Sequence, residues 1–322
     1  MKDLFTNNKR ILAVAPMADM TDSAFCRTIK NVGGVDLMFR EMVSSEAIVR
    51  ENEKTIGMTD FVHEERPLIQ QIFGSDPLTM AKAAEIVMEH AGPEGIDINM
   101  GCPVYKITSN FNGAALMKEP DRATAIIKEM KKAIGDTPLS VKIRLGWDDP
   151  DEFKTFIPII EAAGANFISM HGRTKKQAYS GVSDWDRIRQ AKQIATVPFF
   201  ANGDIHEPLH VAEVLDQTHC DGVLIARGVL GNPWFFKLVD NPKYVISARE
   251  RAEVVYEHAK LHVLQYGPKG ILTFRKHLSW YFKSNKIGHI IPGIKDFRSK
   301  LVRVTTIEEL KGLLDEYVAY SE

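Results

Sequence analysis

A lysine set inside an apolar run has the clearest chemical consequence in this chain. Lys142 interrupts Ser140-Val141-Lys142-Ile143-Arg144, where an ammonium must be buried unless something anionic meets it. Pairing with a neighbouring acid, or escape past the strand end, would be the ordinary outcomes. The chemical one is charge stabilisation: a reduced flavin gathers negative charge near N1 and its C2 oxygen, and a fixed lysine there would stabilise it. Cys102 stands in Asn99-Met100-Gly101-Cys102-Pro103. An isolated cysteine is often only a small buried hydrophobe. Here Gly101 and Pro103 bracket it in a loop, with Lys106 and Asn110 following, a setting that suits a nucleophile or proton donor. An ordinary thiol, with a pKa of about 8.5, is mostly protonated at neutral pH and acts as an acid without tuning.

Two further groups stand beside these. His171 can hydrogen-bond a cofactor, exchange protons or serve only as a structural donor, and Arg173 two residues on is spaced to meet a phosphate or a base edge. Asn202-Gly203-Asp204 and Arg227-Gly228 combine glycines, which expose backbone N–H groups, with one arginine fork, the makings of a phosphate cradle.

These residues need elements that bring them to one place. Eight short apolar runs occur, at Ile11–Ala15, Val35–Phe39, Leu68–Phe73, Ile96–Met100, Leu139–Ile143, Asn166–Met170, Pro198–Ala201 and Gly222–Ile225. Helical stripes separate them: Met80, Ala83, Ala84, Val87 and Met88; Ala123, Ile126, Ile127, Met130 and Ile134; Phe153, Phe156, Ile157 and Ile160; and Val211, Val214 and Leu215 after Pro208. Nearly continuous apolar strands alternating with helices predict an α/β fold, a (β/α)8 TIM barrel, with chemistry in the loops at the C-terminal strand ends. A doubly wound open sheet is the rival. The loop Pro16-Met17-Ala18-Asp19-Met20 lacks the glycine fingerprint such a sheet would want. Met17, Gln70, Asn99, Cys102, Lys142, Arg144, His171, Arg173, Asn202, Gly203, Asp204, Arg227 and Gly228 all fall at or near strand ends.

After Pro233-Trp234 the rhythm stops. Ser247 with Glu250, and Thr306 with Glu309, have capping-box spacing. Stripes over Val255, Ala259, Val263 and Tyr266, over Ile271, Phe274, Leu278, Tyr281 and Phe282, and over Leu310, Leu313, Leu314 and Tyr317 predict a small all-helical C-terminal domain. The expected division is a barrel domain over 1–242 and a helical domain over 243–322. Between Lys260 and Val304 stand ten Lys or Arg, among them Lys269, Arg275, Lys276, Lys283 and Lys286, against one acid, Asp296. The whole chain of 322 residues has a net charge of −1, so the rest is net acidic and this segment is a local phosphate-binding candidate. Lys269, Lys276 and Lys283 are spaced seven apart, which would put them on one helical face.

Composition excludes several classes. At 44% hydrophobic and 26% charged the chain reads as an ordinary globular protein. Met1 to Arg10 is polar, with no signal-like pattern, and the apolar runs are strand-length, so neither a targeting nor a membrane segment is expected. Cys26, Cys102 and Cys220 form no ligand-spaced set, so no metal cluster or disulfide scaffold is expected and a reducing cytoplasm is the default. Cys26 and Cys220 are assigned to packing.

Taken in order, the motifs resemble the tRNA-dihydrouridine synthase family. They are Ala15-Pro16-Met17-Ala18, Gln70-Gln71-Ile72-Phe73-Gly74, Asn99-Met100-Gly101-Cys102-Pro103 with Lys106, and Val141-Lys142-Ile143-Arg144 with Gly146-Trp147. His171-Gly172-Arg173-Thr174, Tyr179-Ser180-Gly181, Asp184-Trp185, Ala201-Asn202-Gly203-Asp204-Ile205, Arg227-Gly228 and Asn232-Pro233-Trp234 follow. The resemblance implies FMN as cofactor, NADPH as reductant, tRNA as substrate and a monomer. Pro16 and Met17 would line the flavin ring, Gln70 and Lys142 bond its polar edge, and His171 contact it. Asn202, Gly203, Asp204, Ala226, Arg227 and Gly228 would hold the phosphate end. Cys102 would be the general acid, with Asn99, Arg144 and Arg173 seating the uridine and Lys269, Arg275, Lys276 and Lys283 contacting the RNA. Asp19 and Ala226 depart from the family, which commonly has glycine at each. Competing expectations are a flavin-dependent dihydroorotate or dihydropyrimidine dehydrogenase acting on a free pyrimidine, and a non-enzymatic RNA-binding protein.

Overall fold

Residues on one strand alternate between two faces, so a barrel built from this chain must sort each apolar run into an inner and an outer set. A computed structural model describes residues 10–283 and 294–321. Eight parallel strands close in chain order: β1 (Ile11–Val14), β2 (Leu37–Ser44), β3 (Leu68–Phe73), β4 (Gly95–Asn99), β5 (Leu139–Arg144), β6 (Phe167–His171), β7 (Phe199–Asn202) and β8 (Gly222–Ile225). β8 returns to β1 through Ala13↔Leu224 and Val14↔Ile225. The barrel expected from the sequence is the barrel found.

The inner set is apolar toward one end and polar toward the other. Ala13, Leu37, Phe39, Ile69, Phe167, Phe200 and Leu224 form one buried cluster. The Phe39, Phe167 and Phe200 rings lie in series at 6.2 and 5.6 Å. Two residues further along β3, β4, β5 and β6 the same face carries Gln71, Asp97, Lys142 and Ser169, aligned by Gln71↔Asp97 and Lys142↔Ser169. β2 outruns its apolar signal, reaching Ser44 through a register shift between Arg40 and Val43. Its charged residue is tolerated because buried Arg40 pairs with Glu65 at 3.0 Å and bonds the carbonyls of Met58 and Asp60.

The predicted helical stripes are buried. Helix Pro77–His90 starts on Asp76, whose side chain accepts from Thr79 N at 2.8 Å, with proline in the first turn, and it buries Met80, Ala83, Ala84 and Val87. Helix Pro120–Ile134 buries Ala123, Ile126, Ile127, Met130 and Ile134. Each buried Met, Val or Ile among them contributes about 1.5–3 kcal/mol, and each alanine less.

Contacts divide the chain into two units. One comprises the residues up to Asp22 together with Val35–Ala226; the other comprises Ser23–Gly34 and the chain from Arg227 on. The helical unit thus begins ahead of the 242/243 boundary read from the rhythm of the chain, and it takes the first helix, Ser23–Val32, with it. The Ala24 N–H donates to Gln265 at 3.1 Å and the Phe25 ring packs 5.9 Å from His258. The Trp234 indole, fully buried, donates to Glu250 at 2.7 Å. That bond turns Glu250 away from the backbone contact a full capping box would require, although Ser247 does cap helix Ala248–Tyr266. Helices Gly270–Tyr281, Ile294–Leu301 and Ile307–Ser321 complete the core around Phe274, Leu278, Phe282, Leu310 and Leu314. Among the described residues no helix is long and apolar enough to cross a membrane.

Candidate active site

The polar end of the barrel collects the chemistry-bearing residues of β4 to β7. Register sets Asn99 beside Lys142, Arg144 beside His171, and His171 beside Asn202. Lys142 turns to an amide rather than an acid: its Nζ donates to Asn202 Oδ1 at 3.1 Å, and it makes no ion pair among the described residues. Burial pushes its pKa down to about 8, with repulsion from Arg144 adding to the fall and Asp97 opposing it. Asp97, fully buried, accepts from Ser140 Oγ and from Gln71 Nε2, both at 2.5 Å. Burial pushes this carboxyl up to about 6, against the pull of its two hydrogen bonds and of Lys142.

Cys102 is partly exposed on a loop clamped from three sides. Asn99 Oδ1 accepts from Cys102 N at 2.9 Å and Gly101 N at 3.2 Å, while Asn99 Nδ2 donates to Gln71 Oε1 at 2.8 Å and meets the Met42 sulfur at 3.2 Å. Arg144 Nε donates to Gly101 O at 2.6 Å, and its Nη1 to Thr174 O and Ala178 O. Burial lowers that guanidinium to about 10. On the third side Ala114 N donates to Cys102 O at 3.1 Å. Gly113, at φ +59°, comes so close that an added Cβ would lie 3.1 Å from Cys102 Cβ. Asn99 and Arg144, expected to seat a substrate, thus hold the cysteine loop; Arg144 Nη2 alone has no partner among the described residues. Cys26 and Cys220 are buried, and burial pushes the Cys220 thiol up to about 12.

Arg173 is only 2% exposed and its donors are engaged. Nε bonds Ser180 O at 3.1 Å, Nη2 bonds Gly181 O at 2.6 Å and Asp204 Oδ2 at 2.7 Å, and Nη1 meets His171 Nε2 at 3.1 Å. A guanidinium only donates, so His171 Nε2 accepts and the ring proton sits on Nδ1. Arg173 therefore organises the 174–183 loop instead of reaching out to a phosphate or base. Asp204 answers it: burial pushes that carboxyl up, but the bonds from Arg173 and from Ser183 N outweigh it and hold the pKa below the ordinary value. Gly203, at φ +117°, is a packing glycine, since an added Cβ would lie 2.3 Å from Ser183 Oγ. Asn202 Nδ2 donates to Leu224 O at 2.7 Å. Of the expected cradle, the barrel therefore supplies backbone rather than the side chains of Asn202 and Asp204. Ala226 packs against the inner cluster after β8. Arg227 and Gly228 open the second unit in the turn Arg227–Val229, the first exposed and the second buried.

One expected residue stands on the wrong face. Ile69 belongs to the inner cluster, so Gln71 shares its face and Gln70 does not. Gln70 Nε2 donates to the carbonyls of Glu41 and Gln71, and its buried Oε1 has no partner among the described residues. Gln71 takes the inner position, bonded to Asp97 and Asn99. Counting parity along β3 from Ile69 would have found it. Pro16 and Met17 are partly exposed just beyond β1. Asp19, at φ +61°, adopts a left-handed conformation that glycine takes freely and aspartate tolerates. Its N–H donates to Glu41 at 2.7 Å. A separate cleft of about 390 Å³ lies between the loops after β5 and β6, lined by Thr174, Lys176, Gln177 and Arg187 among others and by neither Cys102 nor Lys142.

In the helical unit the basic residues differ in availability. Lys269 and Lys283 are exposed and Lys276 is half-buried. Helix Gly270–Tyr281 ends before Lys283, so the three do not share one helical face as their spacing suggested. Arg275 is engaged with the carbonyls of Val304 at 2.8 Å and Arg303 at 2.9 Å. Lys286 lies outside the described residues.

The family model described as dihydrouridine synthase matches residues 13–321. The chain belongs to the dihydrouridine synthase family. It is 34% identical over 98% of its length to a probable tRNA-dihydrouridine synthase 1 of Synechocystis sp., covering 88% of that protein. It is 34% identical over 92% of its length to tRNA-dihydrouridine synthase B of Pseudomonas syringae pv. tomato, covering 88% of it. A probable tRNA-dihydrouridine synthase of Mycobacterium leprae is 38% identical over 85% of this chain and 73% of its own. Among solved structures, histamine dehydrogenase from Rhizobium sp. 4-9 has a TM-score of 0.57 at 12% identity, over 96% of this chain and 62% of that one. An old yellow enzyme homologue from Zymomonas mobilis has a TM-score of 0.53 at 11% identity, over 74% and 90%. At such identities these two share the fold alone. Membership in the dihydrouridine synthase family favours the tRNA-directed expectation over a free-pyrimidine dehydrogenase or a non-enzymatic RNA-binding protein.

Proposed function

We propose that this protein is an FMN-dependent tRNA-dihydrouridine synthase, reducing the C5–C6 bond of particular uridines in tRNA with hydride drawn from NADPH. The observation that carries the reading is the meeting of Cys102 and Lys142 at the polar end of the barrel. Asn99, register partner of Lys142, grips the Cys102 backbone.

The residues present fit a flavin. Lys142 is a largely desolvated cation whose one hydrogen bond among the described residues is to an amide oxygen, which suits a neighbour that gains negative charge. Pro16 and Met17 offer a partly exposed apolar surface at the end of β1. With the Asn202 and Asp204 side chains engaged, the phosphate end falls to the backbone of Asn202, Gly203 and Asp204, and the family pattern adds Ala226, Arg227 and Gly228. Bound FMN supplies the hydride that goes to C6 of the uracil.

The chain's own residues do the rest. Cys102 Sγ delivers a proton to C5 from a loop that Asn99, Arg144 and Gly113 hold in place. His171 contacts the flavin from the end of β6, and Arg144 Nη2 is, among the described residues, the remaining charged donor for a base edge. Gln71 replaces Gln70 in the position that bonds the polar edge of the ring. A uracil stacked within folded RNA must be extruded before it can approach Cys102, and backbone contacts by Lys269, Lys276 and Lys283 hold the RNA meanwhile. The same reading makes the protein a cytoplasmic monomer.

The test is direct. Purified protein with FMN and NADPH is given unmodified tRNA, and dihydrouridine is read by mass spectrometry. Formation in tRNA and not in free uridine is expected. Reduction of a free pyrimidine with none in tRNA would refute the assignment.

A further inference from the structure

Behind the Cys102 loop runs a chain of side-chain hydrogen bonds in which every member has one orientation. Ser140 Oγ and Gln71 Nε2 both donate to Asp97, Gln71 Oε1 accepts from Asn99 Nδ2, and Asn99 Oδ1 accepts from the N–H groups of Gly101 and Cys102. An amide side chain can turn over and exchange its donor and acceptor ends. In this chain it cannot, because a carboxylate only accepts. Asp97 forces the Nε2 end of Gln71 toward itself, which leaves Oε1 for Asn99. Asn99 must then present Nδ2 to Gln71 and Oδ1 to the loop. Asp97, Gln71 and Asn99 are all buried, at 0%, 1% and 7% exposure, so water does not randomise the order.

We propose that Asp97 is a positioning residue for Cys102, acting through Gln71 and Asn99 to set the polarity of the bonds that hold the cysteine loop. The proposal rests on Cys102 as the proton donor of the reaction above, but its structural half is independent of that activity. Ser140 completes the device by occupying the second carboxylate oxygen.

The experiment reads amide hydrogen exchange at Gly101 and Cys102 in the full-length protein, together with dihydrouridine formation. Asp97→Ala removes the acceptor; exchange at both amides should rise at least about tenfold, and kcat should fall about tenfold with KM for tRNA within about twofold. Asp97→Asn keeps an acceptor for Gln71 and offers its NH2 to the Ser140 hydroxyl, so protection should persist. Gln71→Glu sets two carboxylates face to face, so the chain survives only while they share a proton, and loop protection should be lost as pH rises. Combining Gln71→Glu with Asp97→Asn exchanges the two groups and should restore protection at every pH.

Wild-type protection in Asp97→Ala would overturn the proposal. If that variant does not fold, the paired exchange decides: no recovery in the double variant relative to Gln71→Glu refutes the polarity argument. Wild-type protein that makes no dihydrouridine while the exchange results hold would sink the function and leave the device standing.

Discussion

Replacing Lys142 with methionine should make the flavin-free protein more stable at neutral pH. The lysine stands at about 8 against an ordinary 10.5, because burial strips its water and Arg144 repels it, while Asp97 attracts it. At about 1.4 kcal/mol per pH unit, a fall of that size corresponds to roughly 3 kcal/mol of native-state cost. Methionine keeps the length of the side chain and removes the charge. It also leaves Asn202 Oδ1 without its donor, at about 1 kcal/mol, and strips Asp97 of an attraction. The expected net gain is about 1–2 kcal/mol at pH 7. Because the folded pKa lies below the unfolded one, the unfolded chain binds more protons between about 8 and 10.5. Wild-type stability should therefore rise across that window relative to the methionine variant, with the full cost present below it. Urea unfolding of both proteins without flavin, at pH 7 and again near 10, reads this directly, provided the m-values agree. A variant less stable than wild type at pH 7, with a gap that ignores pH, would refute the buried-cation argument. Loading FMN should reverse the order at pH 7, since only the lysine gains a partner.

Three other outcomes follow from the same geometry. Cys102→Ala should retain bound flavin and NADPH oxidation while dihydrouridine formation on tRNA falls by about 10²-fold or more; unchanged single-turnover reduction of tRNA would remove Cys102 from the mechanism. Lys269→Glu with Lys283→Glu should weaken tRNA binding by about tenfold and flatten its salt dependence, with flavin content unaffected. Identical gel-shift titrations at two salt concentrations would rule that surface out. Gly203→Ala forces a methyl toward Ser183 Oγ at a left-handed φ, and should cost about 2–4 kcal/mol of stability; an unaltered thermal midpoint would contradict the packing role assigned to that glycine.

The barrel was legible because its signals are local. Eight apolar runs and the stripes between them carry element type directly, and Pro77 after Asp76 marks a helix start without any tertiary information. Charged residues hide the second half of β2, since Arg40 and Glu41 look like a loop until Glu65, from a distant segment, is placed against Arg40. Site residues were legible as motifs but less so as roles. Arg173 and Asp204 look like ligand groups along the chain, yet they satisfy each other across 2.7 Å, a pairing no spacing rule predicts. The choice between Gln70 and Gln71 was open to parity, because Ile69 marks the inner face. Along the chain Asp97 is a lone acid within an apolar strand. Its importance depends on Ser140 and Gln71 from neighbouring strands, which register alone brings together.

Burial drives the two ionisable groups at the centre of the barrel toward neutrality from opposite sides, Asp97 up to about 6 and Lys142 down to about 8. Their mutual attraction resists this in both, yet neither bonds the other; the carboxylate is satisfied by Ser140 and Gln71, the ammonium by Asn202. That separation matters for what the site can do. A carboxylate bonded directly to Lys142 would neutralise it and leave nothing for a guest that gains electrons. Bonded instead to the Ser140 hydroxyl and the Gln71 amide, Asp97 still supports the charged form of Lys142 through space while its hydrogen-bonding capacity goes to the cysteine loop. One buried acid thus serves the proton donor through bonds and the cation through its field, and the two services are separable: Asp97→Asn should preserve loop protection while lowering the Lys142 pKa further, visible as an earlier loss of flavin affinity as pH rises.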